Sequence, residues 1–216
     1  MSDDLEAVPT TQFSIGDAFS YGWDGFMRNP GPLLACTAAA IGVSLLPGLI
    51  PLDSPHLGLA LSVVGLIASV VIGSGVVRMA LGVADGRPAT FADLLATQNL
   101  GRYALASLMV WPLVILGATM CLPGLIAWYF LQFYAFAVLD DRSGRTVGAW
   151  ESLAVSARTV RARPGQCALV MLLVLALNIG GASLCVVGLL ATLPMTAISS
   201  AYAWRIFTGT GQPQPA

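Results

Sequence analysis

The chain has 216 residues, of which 56% are hydrophobic and only 10% are charged, and its formal net charge is -1. Soluble domains carry about 25% charged residues, so this composition excludes an ordinary soluble protein. It predicts an integral membrane protein. No nucleic-acid partner is expected.

Long uncharged stretches divide the chain into six predicted spans. No Asp, Glu, Lys or Arg lies between Arg102 and Asp140 or between Arg163 and Arg205. As a single helix, each stretch would exceed about 50 Å against a hydrocarbon core of about 30 Å, so each is expected to fold back as two spans. The first apolar region divides in the same way. The predicted spans are 32–48, 57–77, 104–120, 123–139, 166–182 and 185–204.

The predicted fold class is therefore all-α, a polytopic membrane bundle of six spans as three hairpins, with amphipathic interfacial helices on the cytoplasmic side. A membrane β-barrel needs segments of about ten residues that alternate apolar and polar side chains, and no such alternation is present. Residues 13–209 are expected to form a single membrane domain between disordered segments at 1–12 and 210–216. The acidic N-terminus does not resemble a signal peptide.

The arginines predict the orientation. All ten basic residues are arginines, and the proposed spans place every one of them on the same side of the membrane. Positive charge in short loops marks the cytoplasmic face. Both termini are therefore predicted to be cytoplasmic in a bacterial inner membrane, with the three hairpin tips outside.

Pro-Gly pairs occur at two of the predicted tips. The letters LPGLI appear at 46–50 and again at 122–126. Proline ends a helix, and glycine permits the backbone angles of a tight reversal. Equal spacings of 23 residues, from Gly101 to Gly124 and from Gly165 to Gly188, suggest a repeat of hairpins. The residues assigned to turns are Pro47, Gly48, Pro123, Gly124 and Gly188.

An amphipathic segment precedes each hairpin. Two of the segments begin with spacings typical of a helix cap, Ser14 with Asp17 and Thr90 with Asp93. The segments are predicted to lie in the headgroup region, although packing on one another as a cytoplasmic cap is the alternative. The first covers 13–29 and has an apolar stripe of Ile15, Phe19, Trp23 and Met27. The third covers 146–163 and carries Ser152 and Ser156 on its predicted polar face.

Five arginines gather in and before the third segment. Such a cluster at the cytoplasmic face is expected to attract anionic lipid headgroups, at about 1 kcal/mol for each basic residue near the surface. The alternative is that these residues only fix the topology. They are Arg142, Arg145, Arg158, Arg161 and Arg163.

The order of these segments resembles a known group of proteins. The stretches GDAFSYGWDGFMRNPG, RMALGVADGRPATFADLL, LPGLIAWYFLQFYAFAVLDDRSG and WESLAVSARTVRARPG are similar to poorly characterised bacterial membrane proteins of actinobacterial type. They also resemble the membrane domain fused to some glycerophosphodiester phosphodiesterases. The shared motifs lie at boundaries and turns, so the resemblance implies the fold and not the enzymatic activity.

The remaining residues offer little chemistry. The four cysteines have no CxxC spacing and no histidine neighbours, so neither a metal site nor a cofactor is expected. Cys121 and Cys185 lie at matching positions where a disulfide is conceivable. Gln132 and Asn178 are interpreted as interhelical hydrogen-bonding residues. No ionisable residue lies within the predicted spans, which disfavours a coupled transporter.

Two functions stay open. The first is a scaffold or accessory protein without catalytic activity, which contacts partner membrane proteins and lipids. The alternative is a passive or lipid-handling transporter, whose path the aromatic run at 128–136 would border. The sequence leaves open whether the protein binds a membrane-protein partner or forms a homo-oligomer.

Overall fold

The computed structural model describes residues 13–49, 55–119, 122–140 and 147–210, and all regular secondary structure in these ranges is helical. The expected all-α fold class is thereby confirmed. The helices are α1 (Ile15–Arg28), α2 (Pro30–Leu49), α3 (Pro55–Ala84), α4 (Phe91–Leu95), α5 (Leu100–Thr119), α6 (Leu122–Leu131), α7 (Tyr134–Leu139), α8 (Ala149–Ala162), α9 (Pro164–Ser183) and α10 (Cys185–Thr208).

Four of the described helices, α3, α5, α9 and α10, are long and apolar enough to cross a membrane. The apolar stretches at Pro30–Leu45 and Pro123–Leu139 are shorter. The described residues therefore contain four candidate membrane spans, which suggest a multi-pass membrane protein, where the sequence predicted six spans. α3 is longer than predicted, because it continues to Ala84 and includes Arg78.

α10 is the central helix of the bundle. Half of its apolar stretch of 18 residues is buried, against 17–28% of the corresponding stretches in the other three candidate spans, and α10 packs on α1, α2, α3 and α9. α2 also packs on α3, and α5 packs on α6. The buried face of α10 includes Met195, Ile198, Ala201 and Trp204.

α1 has three faces where the sequence predicted two. Its Ser14 cap is confirmed, since Ser14 Oγ accepts a hydrogen bond from the Asp17 amide at 3.4 Å. Tyr21 donates a hydrogen bond to the Val83 carbonyl at 2.9 Å. A Cβ added at Gly22 would overlap Ser199 Oγ, so this glycine lets α1 approach α10. The predicted apolar stripe lies on a separate, exposed face: Ile15, Phe19, Trp23 and Met27.

The fourth predicted span is interrupted. α6 ends at Leu131 and α7 begins at Tyr134, which interrupts the helical backbone hydrogen bonding between them. Ser156 of α8 bonds on both sides of the interruption, because its Oγ donates to the Phe130 carbonyl at 2.8 Å and accepts from the Phe133 amide at 3.2 Å. The prediction that Ser152 and Ser156 lie on a polar outer face is wrong, because both are fully buried.

The Pro-Gly pairs lie in helices and not in the reversals themselves. Pro47 and Gly48 belong to the last turn of α2, and Pro123 and Gly124 to the first turn of α6. Gly188 likewise lies in the first turn of α10. The assignment to turns is therefore corrected to helix ends. Residues 50–54 and 120–121 lie outside the described residues, and α9 and α10 meet at Leu184.

Candidate functional site

A cavity of about 340 Å³ lies where the C-terminal ends of α3, α7 and α10 meet the short helix α4. This end of the bundle, where α2, α5 and α9 begin, is called the arginine end below. Charged and polar side chains supply most of the cavity wall, with small or apolar residues between them. The lining residues are Arg78, Leu81, Asp85, Arg87, Ala92, Asp93, Ala96, Gln98, Leu139 and Arg205.

Arg205 forms the buried back of this cavity. Its Nε and Nη2 donate to the two carboxylate oxygens of Asp85 at 2.9 and 3.1 Å, and its Nη1 donates to Asp140 Oδ1 at 2.6 Å. The side chains of all three residues are only 2–3% exposed. Trp204 completes the arrangement, since its Nε1 donates to Asp140 Oδ2 at 2.9 Å.

This Arg205 network joins three helices that are distant in sequence. Asp85 follows α3, Asp140 follows α7, and Arg205 belongs to the last turn of α10. Two buried carboxylates share one guanidinium, so removing the guanidinium would take hydrogen bonds and compensating charge away from both. The network therefore fixes the relative positions of the helix ends that form the cavity. Thr210, predicted to begin a disordered tail, also accepts from Arg205 Nη1 at 3.3 Å.

The chain after α3 turns in a way that places two charges at the cavity. Gly86 has a φ of 74°, and the amide of Arg87 donates to the Gly82 carbonyl at 2.8 Å while that of Gly86 donates to Val83 at 2.9 Å. These bonds form a Schellman motif, in which glycine accepts the left-handed conformation. Arg87 then extends outward with a side chain 67% exposed, and its Nη2 lies 3.8 Å from Asp85 Oδ2.

α4 forms the outer wall. Its predicted cap is confirmed, because the Thr90 amide and Thr90 Oγ1 both donate to Asp93 Oδ2, at 3.0 and 2.8 Å. Leu94 packs over Gly75 of α3, where an added Cβ would lie 2.6 Å from Leu94 Cδ1. Phe91 and Leu95 are exposed on the other side of the helix.

The arginines predicted to bind headgroups lie elsewhere. Arg158 is exposed on α8. The guanidinium of Arg161 lies 5.8 Å from the ring centre of Phe130, and that of Arg163 lies 5.8 Å from the ring centre of Phe207. Both contacts are cation–π interactions. Arg142 and Arg145 fall outside the described residues, so their role in headgroup binding stays a prediction.

The two polar residues assigned to helix contacts differ from each other. Gln132 Nε2 donates to the Cys167 carbonyl of α9 at 3.4 Å, at the interruption between α6 and α7. Asn178 Oδ1 is buried and has no hydrogen-bond partner among the described residues, so the interhelical hydrogen bond of Asn178 stays a prediction. Cys121, one of the two cysteines at matching positions, lies outside the described residues.

Sequence reasoning missed the cavity because it used the arginines only to set orientation. The sequence pattern predicts only an orientation from Arg78, Arg87 and Arg205, and it indicates no role for Asp85 or Asp140. A usable signal was present: each aspartate directly follows an apolar helix, at Ala84–Asp85 and at Leu139–Asp140. A carboxylate at the end of an apolar segment requires a partner if it is buried.

Uncharacterised mycobacterial proteins are similar to this chain. One from Mycobacterium bovis is 30% identical over 237 aligned residues, which cover 94% of this chain and 71% of that protein. Two from strains of Mycobacterium tuberculosis match with the same identity and coverage. No protein-family model and no solved structure matches the chain. The comparisons connect the chain to a poorly characterised actinobacterial family and add nothing to the phosphodiesterase resemblance.

Proposed function

The chain belongs to the same family as these mycobacterial proteins, and we propose that it is a non-enzymatic scaffold or accessory protein of the bacterial inner membrane. Six spans in three hairpins cross the membrane, the apolar stretches at Pro30–Leu45 and Pro123–Leu139 supplying the two beyond the four candidates. Both termini and the arginine end face the cytoplasm, as the confinement of basic residues to short loops supports.

The observation that carries this proposal is the outward apolar face of the short helices at the arginine end. Phe19, Trp23 and Met27 of α1 are 40–54% exposed, on a face separate from the one that packs on α10. Leu95 of α4 and Trp150 of α8 are about three-quarters exposed. Apolar and aromatic side chains on such helices insert into the headgroup layer or contact a partner protein.

The use of the buried charges supports a structural role over a catalytic one. Arg205, Asp85 and Asp140 hydrogen-bond to one another and join three helix ends. Their charged groups are thereby engaged in holding the bundle together, as expected of a protein that presents a fixed surface.

The test is cross-linking of the tagged full chain in native membranes, followed by purification and mass spectrometry. The triple variant Phe19→Ser, Trp23→Gln, Met27→Gln removes the outward apolar stripe of α1. We expect it to lose the cross-linked partners of the wild type, whereas the control Ser20→Ala, Asp24→Asn on the polar face retains them. Recovery of the same proteins at the same yield from the triple variant contradicts the proposal.

A lipid-handling transporter is the second candidate, and the charged cavity is the observation that favours it. A passive carrier of lipids needs a polar site for the headgroup beside an apolar surface for the chains. Reconstitution in vesicles that contain a fluorescent phospholipid tests this candidate. Faster exchange of the labelled lipid between leaflets than in protein-free vesicles supports it, and an unchanged rate contradicts it.

A further inference from the structure

We propose that the cavity at the arginine end binds the phosphate group of a membrane phospholipid, whose acyl chains lie along the exposed apolar side of α4, formed by Phe91 and Leu95. This inference rests on the part of the proposed function that puts the arginine end at the membrane surface. It does not depend on a partner protein. The site also differs from the arginine cluster of α8, because Arg158, Arg161 and Arg163 do not line the cavity.

Three arginines and two aspartates line the cavity, so its lining carries one net positive charge. Asp85 accepts two hydrogen bonds from Arg205, and Asp93 accepts two from Thr90. These lining carboxylates are thus already engaged as acceptors within the protein. The guanidinium of Arg87 extends from the wall with its side chain 67% exposed. A guanidinium presents planar donors that match a phosphate group.

Two further donor side chains line the same cavity. Arg78 projects from α3, and the amide of Gln98 lies in the segment after α4. Three walls of the cavity therefore carry hydrogen-bond donors: α3 carries Arg78, the turn after α3 carries Arg87, and the segment after α4 carries Gln98. The volume of about 340 Å³ falls within the range of about 300–1,000 Å³ typical of small-molecule sites.

The apolar surroundings indicate that the phosphate belongs to an amphiphile. α4 contributes Ala92, Asp93 and Ala96 to the cavity, while Phe91 and Leu95 of the same helix are 56% and 74% exposed. One short helix therefore separates a charged cavity from an apolar outer surface. Arg78 lies six residues before the end of α3, about 9 Å along the helix axis, which suits the depth of a lipid headgroup at the end of a span.

The experiment measures thermal unfolding and lipid binding of the purified full chain in detergent, with three probes. Dioleoylphosphatidylglycerol carries the phosphate and the acyl chains, dioleoylglycerol carries the chains alone, and inorganic phosphate carries the anion alone. We expect only the phospholipid to raise the unfolding temperature and to remain bound in native mass spectrometry. Stabilisation by inorganic phosphate as strong as by the phospholipid would overturn the lipid as the source of the phosphate.

Two kinds of variant locate the site. Arg87→Gln removes an exposed donor, and we expect it to weaken phospholipid binding about fivefold, the contribution of one basic residue near a headgroup. Ala96→Phe instead fills the cavity at a position whose extended backbone, with φ -66° and ψ 123°, accepts any side chain, and it should abolish binding. The matched control is Arg158→Gln, an exposed arginine of the same end that does not line the cavity.

The outcomes separate this inference from the proposed function. Equal stabilisation by dioleoylglycerol, an equal loss in Arg158→Gln, or unchanged binding in Ala96→Phe would each overturn the cavity as a phosphate site. None of these results depends on whether α1 holds a partner protein. Conversely, loss of the cross-linked partners in the α1 variant leaves the phospholipid measurement unaffected.

Discussion

At the scale of single residues, Arg205 shows how one side chain serves two purposes. Its charge contributes to the arginine-rich end, and its planar fork binds both oxygens of Asp85 while a third nitrogen reaches Asp140. A lysine at this position could not match that geometry, because an ammonium group is a single point of charge. The residue is among the largest fully buried side chains of the described chain.

Replacing Arg205 is expected to destabilise the protein strongly. Arg205→Gln removes the guanidinium that donates to the buried carboxylates of Asp85 and Asp140, and removing one partner of a buried pair costs about 3–5 kcal/mol. Chemical or thermal unfolding of the purified protein in detergent measures the difference. Arg158→Gln, on an exposed side chain, should change the stability by less than about 0.5 kcal/mol. Equal stability of the two variants would show that the network is not structural.

At the scale of helices, glycines allow two pairs of helices to approach closely beside their reversals. A Cβ at Gly117 would lie 2.6 Å from Gly124 Cα, and one at Gly188 would lie 2.8 Å from the carbonyl carbon of Gly181. The two contacts are related by a shift of 64 residues along the chain. Small residues at such contacts let helix backbones pack closely in membranes. The glycine spacing in the sequence therefore corresponds to two similar helix contacts, one between α5 and α6 and one between α9 and α10.

Adjacent glycines of α9 provide a matched test of this contact. Gly181→Val would overlap Thr192 Oγ1 and place a Cβ 3.1 Å from the Gly188 carbonyl oxygen, whereas a Cβ at Gly180 meets nothing within 4 Å. Both substitutions change helix propensity equally, so their difference reports on packing. We expect Gly181→Val to cost about 1–3 kcal/mol more than Gly180→Val. Unfolding in detergent compares them, and equal midpoints would contradict the close contact.

The sequence predicted the features that depend on near neighbours. The caps at Ser14 and Thr90 involve residues three positions apart, and the helical class follows from long apolar stretches. The interruption between α6 and α7 could not be predicted, because it is stabilised by Ser156, 23 residues or more away. The charged cavity was missed for the same reason: Asp85 and Arg205 are 120 residues apart. The sequence around a helix-terminal arginine looks the same whether the side chain faces water or pairs with a buried carboxylate.

At the scale of the whole molecule, the described arginines gather at one end of the bundle. Arg28 ends α1, Arg102 lies in the first turn of α5, and Arg205 lies in the last turn of α10. Leu184, between α9 and α10, lies at the opposite end and is 72% exposed. This polarity supports the predicted orientation, with the arginine end in the cytoplasm.

Cysteine labelling tests that orientation. In a variant without the four native cysteines, Leu184→Cys should react with a membrane-impermeant reagent added outside intact cells. Thr97→Cys, exposed beside the cavity, should react only after the membrane is opened. Labelling of Leu184→Cys from the cytoplasmic side alone would refute the orientation, and the unsubstituted cysteine-free chain serves as the blank.

α3 is longer than the layer it has to cross. Its 30 residues measure about 45 Å, against a hydrocarbon thickness of about 30 Å, so about 15 Å of the helix projects beyond the lipid chains. Arg78 lies in the C-terminal part of α3, and Asp85 directly follows the helix. In a thicker bilayer Arg78 and Asp85 would approach the hydrocarbon layer. The cost of burying a charged side chain there rises to about 2.5–3.5 kcal/mol at the centre of the bilayer. The 23 residues from Pro55 to Val77 carry no Asp, Glu, Lys or Arg and measure about 34 Å, so hydrophobic matching would favour a bilayer whose hydrocarbon core is about that thick.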